Sequence, residues 1–376
     1  MINNNMAKTI LVLNSGSTSI KYSLFSEALK KIDSGEEKKI GLKGGAKNHE
    51  EALKKIFKKI SGSGQVKNLS DIKAVGHRVV HGGEDLRKPI LLNKKVLNKI
   101  KKYSKLAPLH NPPNVAGIEA CQKLLPKAKN VAVFDTGFYK TLKPENYVYA
   151  LPYRLYQKEK IRKYGFHGIS HQYVAQEAEK ILGKKIQKLI TCHLGGGSSI
   201  TAIKNGKPVE TSMGFTPLEG LVMTTRSGNI DPAIPVYLIR QLGYKPEAVD
   251  TLLNKKSGFL GICGIRNFKE ILQSKQKRAK LAYHIYVKSL VQHIAAYTAS
   301  LEGIDALVFT AGIGENAVRL RKDATEQLKH LGLEIDKEKN KKNQTIISKK
   351  NSKVAILVIP TNEELMIAQQ TLKLIS

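Results

Sequence analysis

Two short stretches place small residues, hydroxyls and a polar lead residue directly after apolar runs. Asn14-Ser-Gly-Ser-Thr-Ser19 follows "ILVL", and His193-Leu-Gly-Gly-Gly-Ser-Ser199 follows "LITC". A plain hairpin needs only two turn-forming residues, so both carry more polar groups than a turn requires. Backbone N–H groups in such turns converge on anions, and Ser or Thr hydroxyls add donors. Two or three turns of this kind at strand ends would suit a polyphosphate. A third, "GIGENA" from Gly312 to Ala317, fits the loose G-x-G-x-x-A form of a dinucleotide fingerprint. Alone that match is weak, and it falls late in the chain. The P-loop pattern G-x-x-x-x-G-K-[ST] is absent, which argues against an ordinary P-loop kinase. "FDTGF" sets Asp135 at the end of an apolar run. His167 and His171 stand four apart, as in some zinc sites. Gly168 between them weakens a helix there and no third ligand is evident, so zinc is rejected.

The elements that must position these groups alternate in type. Residues 8–25 read as strand, polar turn, strand. In "NHEEALKKIFKKI", Ala52, Leu53, Ile56, Phe57 and Ile60 recur at helical spacing; one face packed on a core explains this better than a membrane-surface helix. "IKAVGHRVVHGG" and "NVAVFDTGF" are further strands, and the Pro-bearing stretch Leu142–Pro152 reads as a connector at a domain boundary. The second half repeats the first: "LITCHLGGGSSITAIKNGK" is strand, Gly/Ser turn, strand, then an Asn-Gly turn. With one inserted residue, "NSGSTSI" and "HLGGGSSI" match. A long helix is expected over Lys277–Leu301. "DALVFTAGIGEN" reads as a strand running into a Gly-rich turn, with a helix from Ala317 to Leu331; a strand, a Pro-Thr-Asn break and a last helix close the chain. Two similar halves of mixed strands and helices imply a duplicated α/β architecture with a cleft between.

The 376 residues suffice for two domains, and 41% hydrophobic content allows sizeable cores. No apolar stretch reaches the roughly 18 residues of a membrane span. "MINNNMAKTI" lacks the apolar region of a signal peptide. Cys121, Cys192 and Cys263 form neither a disulfide framework nor a Cys-x-x-Cys zinc spacing. A cytoplasmic protein is expected. Lys+Arg total 63 against 31 Asp+Glu, a formal charge of +32. That excess could serve nucleic acid, but the lysines are spread along the chain without a nucleic-acid motif. A positive field around a site for anionic substrates explains it better.

"VLNSGSTSIKYSLF", "APLHNP", "FDTGF", "RKYGFHGISH", "HLGGGSS", "GFTPLEGLVMTTRSG", "LNKKSG", "FTAGIGEN" and "IPTNEEL" together resemble the acetate kinase family in order and spacing, over nearly the whole chain. The resemblance implies the fold of the sugar kinase/Hsp70/actin superfamily: two duplicated actin-like ATPase (ribonuclease H-like) α/β domains with phosphate-binding hairpins facing a cleft. Domain I would be residues 1–140 plus 365–376, and domain II residues 141–364 with the nucleotide site and a dimer interface. The implied reaction is reversible phosphoryl transfer from ATP to acetate, with Mg²⁺ or Mn²⁺, in a homodimer without membrane or nucleic-acid partners. The nearest alternative is a propionate or butyrate kinase; one from another class is a non-catalytic nucleic-acid-binding protein on a relic kinase fold.

Residue by residue, the resemblance implies Asp135, His167 and Arg226 as catalytic. The acceptor is a carboxylate already ionised at neutral pH, since such groups have a pKa of about 4.3. The reaction therefore needs positioning and charge cancellation rather than a general base, and Asp135 is expected to orient an arginine or metal-bound waters. Arg78, Val80, Leu109, Phe166 and Pro217 match the acyl-side residues. Lys21, Ser17, Ser19, His193, Leu194, Gly195, Gly196, Gly197, Asn267, Phe268, Lys269, Gly312, Ile313, Gly314, Glu315 and Asn316 match the nucleotide side, and Asn14 and Glu363 the metal side. His110 and His193 are open between a supporting role and simple packing. Glu363 could equally be an acidic residue opening a helix capped by Thr361 or Asn362. Three stretches depart from the family pattern: Gly196 stands where Asn is usual, Asn267-Phe268-Lys269 replaces Asp-Phe-Arg, and "TTRSGN" replaces G-T-R-S-G-D. Loose discrimination among ATP, GTP and ITP is the expectation from the first two, within about tenfold in kcat/KM, or about 1.4 kcal/mol.

Overall fold

The computed structural model describes residues 9–62, 66 and 68–376. The N-terminal stretch read above for a signal peptide lies outside them, apart from its last two residues. The chain divides into two compact units: one runs to Lys140 and takes back Asn362–Ser376, the other is Thr141–Thr361.

In the first unit, β1 (Thr9–Ser15) and β2 (Ser19–Ser26) form the expected hairpin, closed by the Gly16 N–H donating to the Ser19 carbonyl at 2.8 Å. The register sets Asn14 opposite Lys21. The chain adds β3 (Lys31–Lys38), β4 (Ile72–Val79), β5 (Ile90–Leu91) and β6 (Lys129–Phe134), in the sheet order β3-β2-β1-β4-β6-β5. β1, β4 and β6 run parallel, so their carboxyl ends share one edge. Helix His49–Gly62 buries Ala52, Leu53, Ile56, Phe57 and Ile60, the five residues at helical spacing. The last helix, Glu363–Ile375, lies across the sheet so closely that a Cβ on Gly76 would come within 2.5 Å of Thr371 Oγ1. That contact is why the C-terminal segment belongs to the first unit.

In the second unit, β7 (Lys188–Leu194), β8 (Ser198–Lys204), β9 (Lys207–Thr211), β10 (Ala306–Thr310) and β11 (Ala355–Val358) form a sheet in the order β11-β10-β7-β8-β9. Again an antiparallel meander leads into two parallel strands beside its first strand. Strand for strand this repeats β6-β4-β1-β2-β3, the duplication implied for the actin-like ATPase fold. The Asn205-Gly206 turn, both residues at positive φ, joins β8 to β9. Helix Lys277–Ser300 packs over the sheet, with Tyr286, Leu290 and Ile294 fully buried.

One expected element differs. No loose Gly-rich turn follows β10. A short helix, Ala311–Asn316, starts at once, and Val318–Gln327 and a 3₁₀ turn Lys329–Leu331 replace the single helix expected over 317–331. Ala311 enters the first of these at φ +63, a left-handed conformation that is strained for an L-residue with a side chain. The break at Ala317 is held by Arg321, which is fully buried. Its Nη1 donates to the Gly314 and Glu315 carbonyls at 2.8 Å each, satisfying helix-end acceptors, and its Nε donates to Asn340 Oδ1 at 2.8 Å.

Candidate active site

In the first unit, the shared carboxyl edge of the parallel strands collects Asn14 from β1, Arg78 from β4 and Asp135 just past β6. Glu363, on the first turn of the last helix, joins them. Arg78 donates from Nε to Asp135 Oδ1 at 3.0 Å and from Nη2 to Asp135 Oδ2 at 2.6 Å, a two-bond fork. Its Nη1 reaches Asn14 Oδ1 at 3.3 Å, and Glu363 Oε2 lies 3.9 Å from Nε. Burial works against the Arg78 charge, but Asp135, then Glu363, more than reverse this and hold the guanidinium firmly protonated. Asp135 is buried with both oxygens committed. Burial above all raises the Glu363 carboxyl over its ordinary range; Arg78 draws it down, while Asp135 and Glu364 push it up. Asn362, rather than Thr361, caps the helix by accepting from the Leu365 N–H at 3.0 Å. Lys21 and Ser17 are exposed on the first hairpin, and Ser19 half-buried. Val80 is buried after β4, whereas Leu109, before helix Asn111–Leu124, is 47% exposed. His110 stands at the N-cap of that helix without a side-chain capping bond.

In the second unit, the glycine turn closes with the Gly195 N–H donating to the Gly197 carbonyl at 3.0 Å. His167 and Arg226 converge on this turn. A Cβ placed on Gly197 would stand 3.3 Å from Arg226 Nη1 and 3.4 Å from His167 Nε2. His167 is the N-cap of helix Gly168–Leu182 at φ +56. The glycine expected to weaken a helix opens it instead. His167 stacks on His193 with centroids 4.2 Å apart, and Nδ1 lies 2.9 Å from Ser199 Oγ. Ser170 Oγ lies 2.8 Å from His193 Nδ1 and 2.7 Å from Thr361 Oγ1, and the Thr361 N–H donates to Glu315 Oε1 at 3.2 Å. Arg226 donates from Nη1 to the Pro217 carbonyl at 3.3 Å. No carboxylate among the described residues pairs with it. Burial alone lowers its pKa, yet a guanidinium remains charged at neutral pH. Phe166, beside His167, is buried.

A cavity of about 660 Å³ brings together Gly196, Asn267, Phe268, Lys269, Gly312, Ile313 and Asn316. Several of these act through less than their whole side chain. Leu194 is fully buried in the hydrophobic core, so only its backbone can serve a ligand. Phe268 turns its ring onto Phe259 and Tyr286, and Gly314 is likewise buried. Asn267 spends its amide oxygen capping helix Phe268–Gln273, accepting from the Lys269 N–H at 3.0 Å. Asn316 donates to the Gly312 carbonyl at 2.9 Å, and Glu315 faces Thr361 rather than the cavity. The cavity also includes Thr224, Arg266 and Leu272, which sequence reasoning did not single out. Arg266 is exposed there and supplies a guanidinium three residues before Lys269, the position at which the usual arginine is missing. The replacement of the usual arginine by Lys269 is its only sequence signal.

The glycines of the second turn differ in what they tolerate. Gly196 has no positive φ, and a Cβ there would meet only Thr224 Oγ1 at 3.9 Å, whereas Gly197 faces both Arg226 and His167. Gly196→Asn should fold within about 0.5 kcal/mol of wild type and bind nucleotide more tightly. Gly197→Ala should lower turnover by about tenfold or more, because even a 1 Å displacement of positioned groups can cost ~100-fold. Denaturant titration and steady-state kinetics measure both. Wild-type turnover in Gly197→Ala would dismiss the convergence as functionally empty.

A profile of the acetokinase family matches residues 26–369. An acetate kinase from Clostridium novyi (strain NT) is 48% identical over 97% of this chain and 98% of its own. The crystal structure of Porphyromonas gingivalis acetate kinase superposes with a TM-score of 0.92 at 38% identity, covering 98% of this chain and 100% of that one. A propionate kinase from Francisella tularensis subsp. tularensis SCHU S4 also gives 0.92, at 43% identity, covering 97% and 99%. The chain belongs to the acetokinase family.

Proposed function

We propose that this protein is an acetate kinase, transferring the γ-phosphoryl group of ATP reversibly to acetate to give acetyl phosphate and ADP. The observation that carries the mechanism is the contrast between two of its arginines: Arg78 is held by Asp135, while Arg226 has no carboxylate partner among the described residues. An acetate oxygen bonds to the γ-phosphorus as the bond to the β–γ bridging oxygen breaks, and ADP leaves. The acceptor arrives ionised, so no residue need take a proton. Arg226 supplies the positive charge that lets one anion approach another, and His167 Nε2, beside Gly197, donates to the phosphoryl oxygens. Asp135, with both oxygens on Arg78, fixes the direction of that guanidinium for the carboxylate substrate. It is therefore a positioning residue rather than a proton carrier. The cavity at Gly196, Arg266 and Gly312 takes the nucleoside.

The metal side fits Mg²⁺, with Mn²⁺ as a substitute. Glu363 and the Asn14 amide are hard oxygen donors, and both stand off from Arg78, at 3.9 Å and 3.3 Å, against the 2.6 Å of Asp135. A divalent ion held there, largely through its own waters, would offset phosphate charge. Val80 is buried on the acyl side, and valine leaves little room beyond a methyl group. One methylene is worth only about 1–3 kcal/mol, so propionate, the substrate named for one structural relative, should be turned over less well rather than excluded.

The molecule is proposed to work as a homodimer. Helix Ala233–Arg240 has no buried residue, and Ile234, Val236 and Tyr237 are each 44–58% exposed. Such an apolar helix favours a second copy of the chain. Three free cysteines accord with the cytoplasm, and no described helix is long and apolar enough to cross a membrane.

Trapping acyl phosphate with hydroxylamine, in ATP, Mg²⁺ and two- to four-carbon acids, should give most product with acetate and none without a divalent ion. Absence of acetyl hydroxamate would overturn the assignment. Arg226→Ala should cut kcat by about 100- to 1000-fold while ATP affinity changes little; lost ATP binding at unchanged kcat would remove Arg226 from catalysis. Sedimentation should show a dimer that Val236→Glu dissociates, and a wild-type monomer at micromolar concentration would refute the interface.

A further inference from the structure

Behind His167 lies a line of buried polar groups that the mechanism above does not use. His171 is fully buried on helix Gly168–Leu182, one turn beyond His167. Its Nδ1 lies 2.7 Å from Thr191 Oγ1 on β7, and its Nε2 lies 2.7 Å from Ser199 Oγ on β8. The same Ser199 oxygen lies 2.9 Å from His167 Nδ1. Thr191, His171 and Ser199 are all fully buried, out of contact with bulk solvent.

This arrangement has a direction. Among the described residues, the Thr191 hydroxyl has one hydrogen-bond partner, His171 Nδ1. A buried hydroxyl that donates to nothing costs about 1–3 kcal/mol. Thr191 therefore donates to Nδ1, which must carry no proton. Burial, and secondarily the neighbouring His193, hold the His171 pKa well below its ordinary value, so the ring is neutral. Its single proton sits on Nε2 and is donated to Ser199 Oγ. The Ser199 hydroxyl then has one acceptor left, His167 Nδ1. A neutral imidazole that accepts at Nδ1 carries its own proton at Nε2. In His167 that is the atom beside Gly197 and Arg226.

We propose that Thr191, His171 and Ser199 act as a positioning relay that fixes His167 in its Nε2–H tautomer, aiming a hydrogen-bond donor at the glycine turn. The reverse chain, with His167 donating from Nδ1, turns Ser199 toward His171, moves the His171 proton to Nδ1 and strands the Thr191 hydroxyl. The catalytic consequence rests on reading His167 as a donor to the phosphoryl oxygens; the tautomer itself does not.

Long-range ¹H–¹⁵N spectra of histidine-labelled protein, with His167 assigned by the His167→Gln variant, read the tautomer without turnover. The wild type should show His167 with its proton on Nε2. Thr191→Ser, which keeps the hydroxyl, should preserve that pattern. Ser199→Ala, which removes the link, should give a tautomer mixture. In Ser199→Ala kcat should fall by about 10- to 100-fold, short of the ~100- to 1000-fold seen on losing a positioned donor outright, with KM for ATP and acetate within about twofold. A proton on His167 Nδ1 in the wild type, or an unchanged tautomer in Ser199→Ala, would overturn the relay. The predicted tautomers with kcat unchanged in Ser199→Ala would uphold the relay and instead remove His167 from the reaction.

Discussion

The two-bond fork between Arg78 and Asp135 is the interaction on which the polar edge of the first unit, and the chemistry proposed for it, depends. It joins the ends of two parallel strands, β4 and β6, and breaking a partly buried pair of this kind costs about 3–5 kcal/mol because a charge is left without a partner. The pair also settles the local charge. Arg78 is answered by Asp135, and with Glu363 3.9 Å from its Nε two carboxylates face one guanidinium. In the second unit the balance has the opposite sign. Arg226 carries a charge that no described carboxylate answers, and it is held by the Pro217 carbonyl instead. One unit thus gathers carboxylates around its arginine, and the other leaves its arginine without one among the described residues.

The same strand order in both units explains how two such sites arise. Each meander ends its first strand in a polar turn, and each adds two parallel strands whose carboxyl ends lie on the same edge. Loops leaving that edge can carry polar groups without disturbing the core beneath. In the first unit the edge bears Asn14, Arg78 and Asp135. In the second it bears His193, the strained Ala311 and the start of helix Ala311–Asn316. Close packing of that helix against the strand ends needs a compensating element, and the buried Arg321 supplies it by gathering the free carbonyls of the helix end.

Much of this was legible in the sequence because it rests on local patterns. The hydroxyl-rich turns, the apolar face of helix His49–Gly62 and the aspartate at the end of a strand each have a short-range signature. What was not legible rests on long-range pairing. β3, "KIDSGEEK", shows no apolar alternation because it is an edge strand held by backbone bonds to β2. Gly168 reads as a helix breaker, yet it opens a helix because His167 takes the left-handed cap. Leu194 and Phe268 fall inside family motifs but owe their burial to the core. Arg266 and Ser199 gain meaning only once the cavity and the histidine cluster are assembled in three dimensions.

Whether Asp135 works through Arg78 rather than by moving a proton is decided by a double-mutant cycle on kcat/KM with Arg78→Lys and Asp135→Asn. Lysine lacks the planar fork, so each single change should break the same two-bond contact. Strong coupling is expected: two severe single losses, and a double variant no more than about threefold worse than the poorer single one. Multiplying losses, with the double variant falling by the product of the two, would show that Asp135 and Arg78 act independently and would contradict it.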